Sequence, residues 1–178
     1  SILDKNHLWV DNSPDSPYEG NLYDGWTVFG SDDGSGHLQV SRSLDNGMAW
    51  QNPKTISDNV AAGSHNQGIN IHTGPLGEVY AVWAVYDNFP ANEKALGFAR
   101  SLNGGQSWEP ATRIFDNIKG IRLQGVNKLM RTNSFPSMAV DISNGPNRGT
   151  IYVVWANVGI PGINEGSGID IYMIKSAD

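Results

Sequence analysis

Four cations crowd one short stretch of an otherwise acidic chain: Lys119, Arg122, Lys128 and Arg131. A guanidinium is a planar fork of donors that matches a carboxylate or sulfate two bonds at a time, and an ammonium adds a compact second charge. The stretch therefore fits an anionic group on a ligand. The acids are dispersed instead: Asp32, Asp33, Asp87, Glu93 and Glu165 sit in three Gly-, Asn- or Pro-rich segments, residues 30–36, 86–93 and 159–166. Hydrolysis of a glycoside needs two carboxyl groups, about 5–5.5 Å apart for retention or about 6.5–9.5 Å for inversion. These five acids are the catalytic candidates, and chain spacing alone fixes no separation between them. Asp11 to Asp15 (DNSPD) and Ser31 to Ser35 (SDDGS) hold the carboxylates and carbonyls that calcium takes. The first departs from the EF-hand pattern because Leu22 stands at its twelfth position. Asx-rich turns account for both, and calcium stays a minor alternative. His65 and His72 have no third ligand nearby for zinc, and Gly34-Ser-Gly36 lacks the Lys-Ser/Thr of a phosphate loop. No cofactor is expected.

What must position these residues follows from the whole chain. Its 178 residues suffice for one sizeable core, at 39% hydrophobic and 17% charged, with six Trp and six Tyr. Twenty-one Gly and plentiful Asn, Asp and Ser favour short strands joined by many turns. A net charge of -6 argues against nucleic acid as a partner. No apolar run is long enough to span a bilayer, no signal peptide is visible, and the absence of cysteine excludes disulfides and thiolate metal sites.

Two repeats organise the chain. GNLYDGW at 20–26, GEVYAVW at 77–83 and GTIYVVW at 149–155 each place Gly six before Trp, an aliphatic four before it and Tyr three before it. SLDNGMAW at 43–50 and SLNGGQSW at 101–108 share a second pattern, and Ser176-Ala-Asp178 opens a third copy. In the octads, Ser43, Asp45, Ser101 and Asn103 supply side-chain oxygens for backbone N–H groups. Gly47 and Gly105 supply positive φ, and Trp50 and Trp108 lay rings on neighbouring strands. Asn103 keeps the acceptor oxygen and loses the charge, so no chemistry depends on charge at that position.

The octad resembles the Asp-box of the bacterial neuraminidase repeat, found in sialidases and other β-propellers. The resemblance implies an all-β propeller of four-stranded antiparallel blades. Spacings of 57 and 72 residues between repeat tryptophans leave room for about three blades, half of a six-bladed ring. The units fall near residues 1–58, 59–116 and 117–178, the last truncated. In such a blade the octad joins strands three and four, whereas the uneven segments all lie on the opposite rim, as in a scaffold presenting a binding surface.

The resemblance implies a carbohydrate-active protein, extracellular or at the cell surface, with exo-glycosidase chemistry of sialidase type. The other reading is a non-catalytic module binding glycan or protein. Sialidases carry an Arg-Ile-Pro signature that is absent here; Arg113 precedes Ile-Phe on an expected outer strand. The expected partners are a glycan and the rest of a ring, supplied by the same polypeptide or by a second copy.

Overall fold

The computed structural model describes residues 2–30, 36–61, 63–123 and 130–176. These form eleven strands and, among the described residues, no helix. The first sheet holds β1 (Ile2–Val10), β2 (Leu22–Phe29), β3 (His37–Ser43) and β4 (Lys54–Thr55) in sequence order. The second holds β5 (His65–Thr73), β6 (Val79–Tyr86), β7 (Ala95–Ser101) and β8 (Thr112–Phe115). The third holds β9 (Ser137–Val140), β10 (Ile151–Ile160) and β11 (Glu165–Lys175). Every pairing is antiparallel. This is a partial β-propeller of three blades, the third with three strands.

The Gly-x-aliphatic-Tyr-x-x-Trp repeat lies on each blade's second strand, and strand alternation sends its Tyr and its Trp to opposite faces. Tyr23 and Trp83 meet in one core cluster between the first two blades, and Tyr80 and Trp155 meet in a second cluster between the next two. Each interblade interface is therefore a Tyr face closed by a Trp face. Trp83 is fully buried, and its Nε1 donates to Asn66 Oδ1 at 2.8 Å. The cross-strand partner of Trp83 is Gly97, where a Cβ would stand 2.3 Å from the indole nitrogen. Only glycine leaves room for the ring.

The first strands of the three blades line up along the inner side. Trp9 Nε1 donates to Thr73 Oγ1 at 3.1 Å and its ring stacks on His72 at 3.7 Å. Asn70 contacts His7 Nε2 at 3.2 Å, and its Oδ1 accepts from Met138 N at 3.1 Å. One side chain thus ties β1, β5 and β9 together.

Both octads are side-chain-supported turns. Ser43 Oγ accepts from Gly47 N at 2.9 Å, and Asp45 Oδ1 accepts from Ser43 Oγ and Ala49 N, each at 2.8 Å. Ser101 and Asn103 reproduce this: Gly105 N to Ser101 Oγ, Ser101 Oγ to Asn103 Oδ1 and Ser107 N to Asn103 Oδ1 are all 2.9 Å. The Ala49 N–H holds the Asp45 carboxyl below its ordinary pKa. Asn103 makes the same bonds uncharged, so Asp45→Asn is expected to keep the turn and to lower the urea midpoint only slightly at neutral pH, a difference that disappears once the pH falls below the carboxylate range. Ser101→Ala, which strands a buried Gly105 N–H, is expected to cost about 1–2 kcal/mol by the same measurement.

The two octad tryptophans differ. Trp108 packs on the cluster between the first two blades, whereas Trp50 is 44% exposed. Trp50 belongs to the outward side of the first blade, where no described sheet stands. Asp11 is buried in an Asx turn, accepting from Ser13 N at 3.1 Å and Ser16 Oγ at 2.6 Å. Asp141 repeats the turn with Ser143 N at 2.8 Å.

Candidate functional site

A cleft of about 360 Å³ opens on the rim opposite the octads, at the start of β1 and β5 and the end of β2. It is lined by Asp4, Lys5, Phe29, Gln67, Phe89 and Arg122, with residues 131–133 and Phe135 closing it from the third blade's side. The register of β1 on β2 shifts between Asp4 and His7, with Lys5 at φ 55°. That irregularity brings both Asp4 and Lys5 to the rim of the cleft, since a bulge re-aims side chains that strict alternation would separate.

Arg122 stands over this floor. Its guanidinium lies 4.7 Å above the Phe89 ring and 5.8 Å from that of Tyr86, and its Nε donates to Pro90 O at 3.0 Å. An arginine stacked on an aromatic face loses rotamer freedom before any ligand arrives. Under Phe89 sits His65, with ring centroids 3.9 Å apart, flanked by Phe29 at 4.9 Å and Tyr86 at 5.6 Å. Burial pushes the His65 imidazole down to a pKa of about 4, so the ring is neutral at neutral pH. Gln67 is buried; its Nε2 donates to Asp4 Oδ2 at 3.2 Å, and its Oε1 has no partner among the described residues.

Behind the cleft, Glu93 anchors the crossing segment that carries the cations. This carboxylate is fully buried and accepts from Tyr86 Oη at 2.8 Å, Ser134 N at 3.0 Å and Arg122 N at 3.3 Å. Burial first, and then Glu93, push the Tyr86 hydroxyl pKa far above its ordinary value. Gly120 packs so closely that a Cβ there would lie 2.0 Å from Glu93 Oε2. Leu123 N to Asn92 Oδ1 at 2.6 Å and Lys119 N to Asn157 Oδ1 at 2.8 Å complete the attachment. The crossing segment is thus held by its backbone amides, which reach the side chains of Glu93, Asn92 and Asn157.

The residues singled out in the sequence therefore separate. Arg122 and Arg131 share the cleft, whereas Lys119 lies over a neighbouring hollow lined by Asp87 and Asn164. Asp87 is an ion-pair partner of Arg113 on β8. Glu93 is enclosed, and Glu165 stands exposed at the start of β11, paired with Ile160. Asp32, Asp33, Lys128 and Asp178 lie outside the described residues. Ser176 is described; its Oγ accepts from Ile151 N at 3.0 Å. The one carboxylate in the described lining of the cleft is Asp4, which the sequence reading passed over. No motif marks Asp4; only its pairing at a register shift brings it here. No group of three potential metal ligands occurs among the described residues.

No protein-family model matches this sequence, and no curated protein sequence matches it. Solved structures do share its fold. An α-L-arabinanase of Penicillium chrysogenum, complexed with arabinobiose, superposes with a TM-score of 0.57 at 14% identity, over 98% of this chain and 46% of that one. An α-L-arabinofuranosidase of Fusarium graminearum with arabinobiose gives 0.55 at 14% identity over the same shares. An α-L-arabinofuranosidase of Fusarium graminearum in complex with an iminosugar inhibitor gives 0.57 at 15%. This chain spans about half the length of the structures it resembles. At such identity the likeness is one of fold.

Proposed function

We propose that this chain is the glycan-engaging part of a carbohydrate-active β-propeller, and that the rim cleft between the first two blades is its binding site. The observation that carries this is Arg122 stacked on Phe89 above a cleft whose walls are Phe29 and Phe135 and whose polar groups are Asp4, Gln67, Lys5 and Arg131. Sugars need this combination, with apolar walls for their C–H faces and convergent donors and acceptors for their hydroxyls. The two arginines and Lys5 outnumber Asp4, so a sugar with a carboxylate or sulfate is favoured. Fold neighbours crystallised with arabinobiose and an iminosugar support carbohydrate as the ligand class.

Exo-glycosidase hydrolysis is the reaction we assign to the completed ring. Asp4 would supply one of the two carboxyl groups such hydrolysis requires. A sialidase-type nucleophile is not assigned to Tyr86 and Glu93. Both are fully buried, and Glu93 is already committed to two backbone amides. That single described acid favours one alternative, a module that binds glycan without cleaving it.

A glycan array probed with the folded chain, beside aryl arabinofuranosides, sialosides and other aryl glycosides as substrates, separates these readings. Retention of acidic glycans is expected, with Arg122→Ala weakening it about tenfold or more. Turnover of any aryl glycoside supports hydrolysis, and retention without turnover supports the binding module. A folded chain that retains no glycan overturns both.

A further inference from the structure

A second hollow, of about 390 Å³, opens on the same rim, its walls supplied by the second and third blades. Lys94, Lys119 and Asp87 give it charge, Asn88 and Asn164 give it amides, and the buried Ile118 adds an apolar patch. The hollow and the cleft share one wall, built from the turn 88–92 and residues 122–123. Phe89 and Arg122 line the cleft, whereas Asn88, Asn92 and Leu123 line the hollow. Arg122 Nε to Pro90 O at 3.0 Å and Leu123 N to Asn92 Oδ1 at 2.6 Å tie the two strips of that wall together. Each depression is large enough for a small ligand.

The charge presented to the hollow is positive. Asp87 is already paired with Arg113, and the Glu93 carboxylate turns inward to Tyr86, Ser134 and Arg122. No ion pair among the described residues uses Lys94 or Lys119. Lys94 Nζ donates to the neutral Asn117 Oδ1 at 2.6 Å, which leaves its charge uncompensated. The Lys119 backbone is fixed: its N–H donates to Asn157 Oδ1 and its carbonyl accepts from Val158 N, each at 2.8 Å. Holding an anion there restricts only the flexible stem of the lysine.

We infer that this hollow is a second anion subsite, and that the glycan is one bearing a carboxylate or sulfate on successive sugars. One acid group lies at Arg122 in the cleft, and the next lies across the wall at Lys119. The inference rests on glycan engagement at the cleft, as proposed above. A neutral sugar has no use for cations in either depression, and a single acidic sugar uses those of one only. Two anion sites bridged by one oligosaccharide make the second contact intramolecular, so affinity rises with chain length.

Calorimetric titration of the 178-residue chain tests this with trigalacturonate, its methyl ester and sulfated maltotriose, beside galacturonate and glucose 6-sulfate as single sugars. At least one acidic trimer should bind about tenfold or more tighter than its own single sugar, and the trimer that gains identifies the acid group. The neutral methyl ester should show no such gain. Lys119→Ala should reduce the trimer-to-single-sugar ratio to below about threefold, and Lys119→Arg should preserve it. Amide shifts at Asn92 and Leu123, produced by the trimer and not by the single sugar, read the same contact in the unaltered chain. Acidic trimers that bind no tighter than single sugars would overturn the inference, as would a gain that Lys119→Ala leaves intact. In either case the cleft still stands if single-sugar binding is lost in Arg122→Ala. No binding of any acidic glycan would overturn both readings.

Discussion

Replacing Trp83 by Ala is expected to lower unfolding free energy by about 3–5 kcal/mol, the usual cost of deleting a fully buried large aromatic. For a chain of this length that shifts the melting temperature by on the order of 10 °C. Three observations set the size. The indole is fully buried at the interface of the first two blades. It lies so close over Gly97 that the site is built around the ring and has no small side chain able to move in. Its removal also leaves Asn66 Oδ1 without its donor in a buried position. Trp83→Phe should recover part of the loss by refilling volume without restoring the hydrogen bond. Guanidinium titration followed by tyrosine fluorescence measures both variants. A Trp83→Ala chain within 1 kcal/mol of the parent would show that the blades do not depend on this contact.

The second large effect is expected at Glu93. Glu93→Ala removes the acceptor of Tyr86 Oη and Ser134 N, both buried, and of the half-buried Arg122 N. Each buried donor left unpaired costs about 1–3 kcal/mol, so a total loss of about 3–5 kcal/mol is expected. Glu93→Gln should cost less, because an amide oxygen in the Oε1 place still accepts from Tyr86 Oη and Ser134 N and only the Arg122 N bond is lost. The change also acts at a distance from the ligand. The bond lost in the Gln variant holds Arg122 itself, so glycan retention should fall there even where the fold survives. Hydrogen exchange at the Arg122 amide reads the attachment directly. Protection unchanged in the Gln variant would show that the segment is held by something else.

The architecture was legible because it is written in repeats whose physical roles are local. Gly-x-aliphatic-Tyr-x-x-Trp on a strand must send Tyr and Trp to opposite faces, and the structure uses each for a different neighbour. Ser-x-Asp/Asn-x-Gly satisfies its own backbone within a few residues, so the turns at 43–50 and 101–108 need no distant partner. The site was less legible because its members are brought together by tertiary placement. Glu93 sits in a stretch, DNFPANE, that reads as a solvated turn. It is buried because a phenol and two backbone amides, from segments up to 41 residues away, converge on it. Asp4 carries no pattern at all and enters the cleft through a register shift in β1. Arg122 was singled out for its charge, whereas its setting depends on Phe89, a residue that contributes an aromatic platform and no chemistry of its own. Local rules describe the blade; the cleft needs the packing of one blade's loop against another's.

Amide chemical-shift mapping of the chain, titrated with the oligosaccharide it retains most strongly on the array, tests glycan engagement at this cleft. The account predicts saturable shifts concentrated at Asp4, Gln67, Phe89 and Arg122, with the octads at 43–50 and 101–108 silent. Shifts confined to the octad rim, with those four amides unmoved, would contradict it.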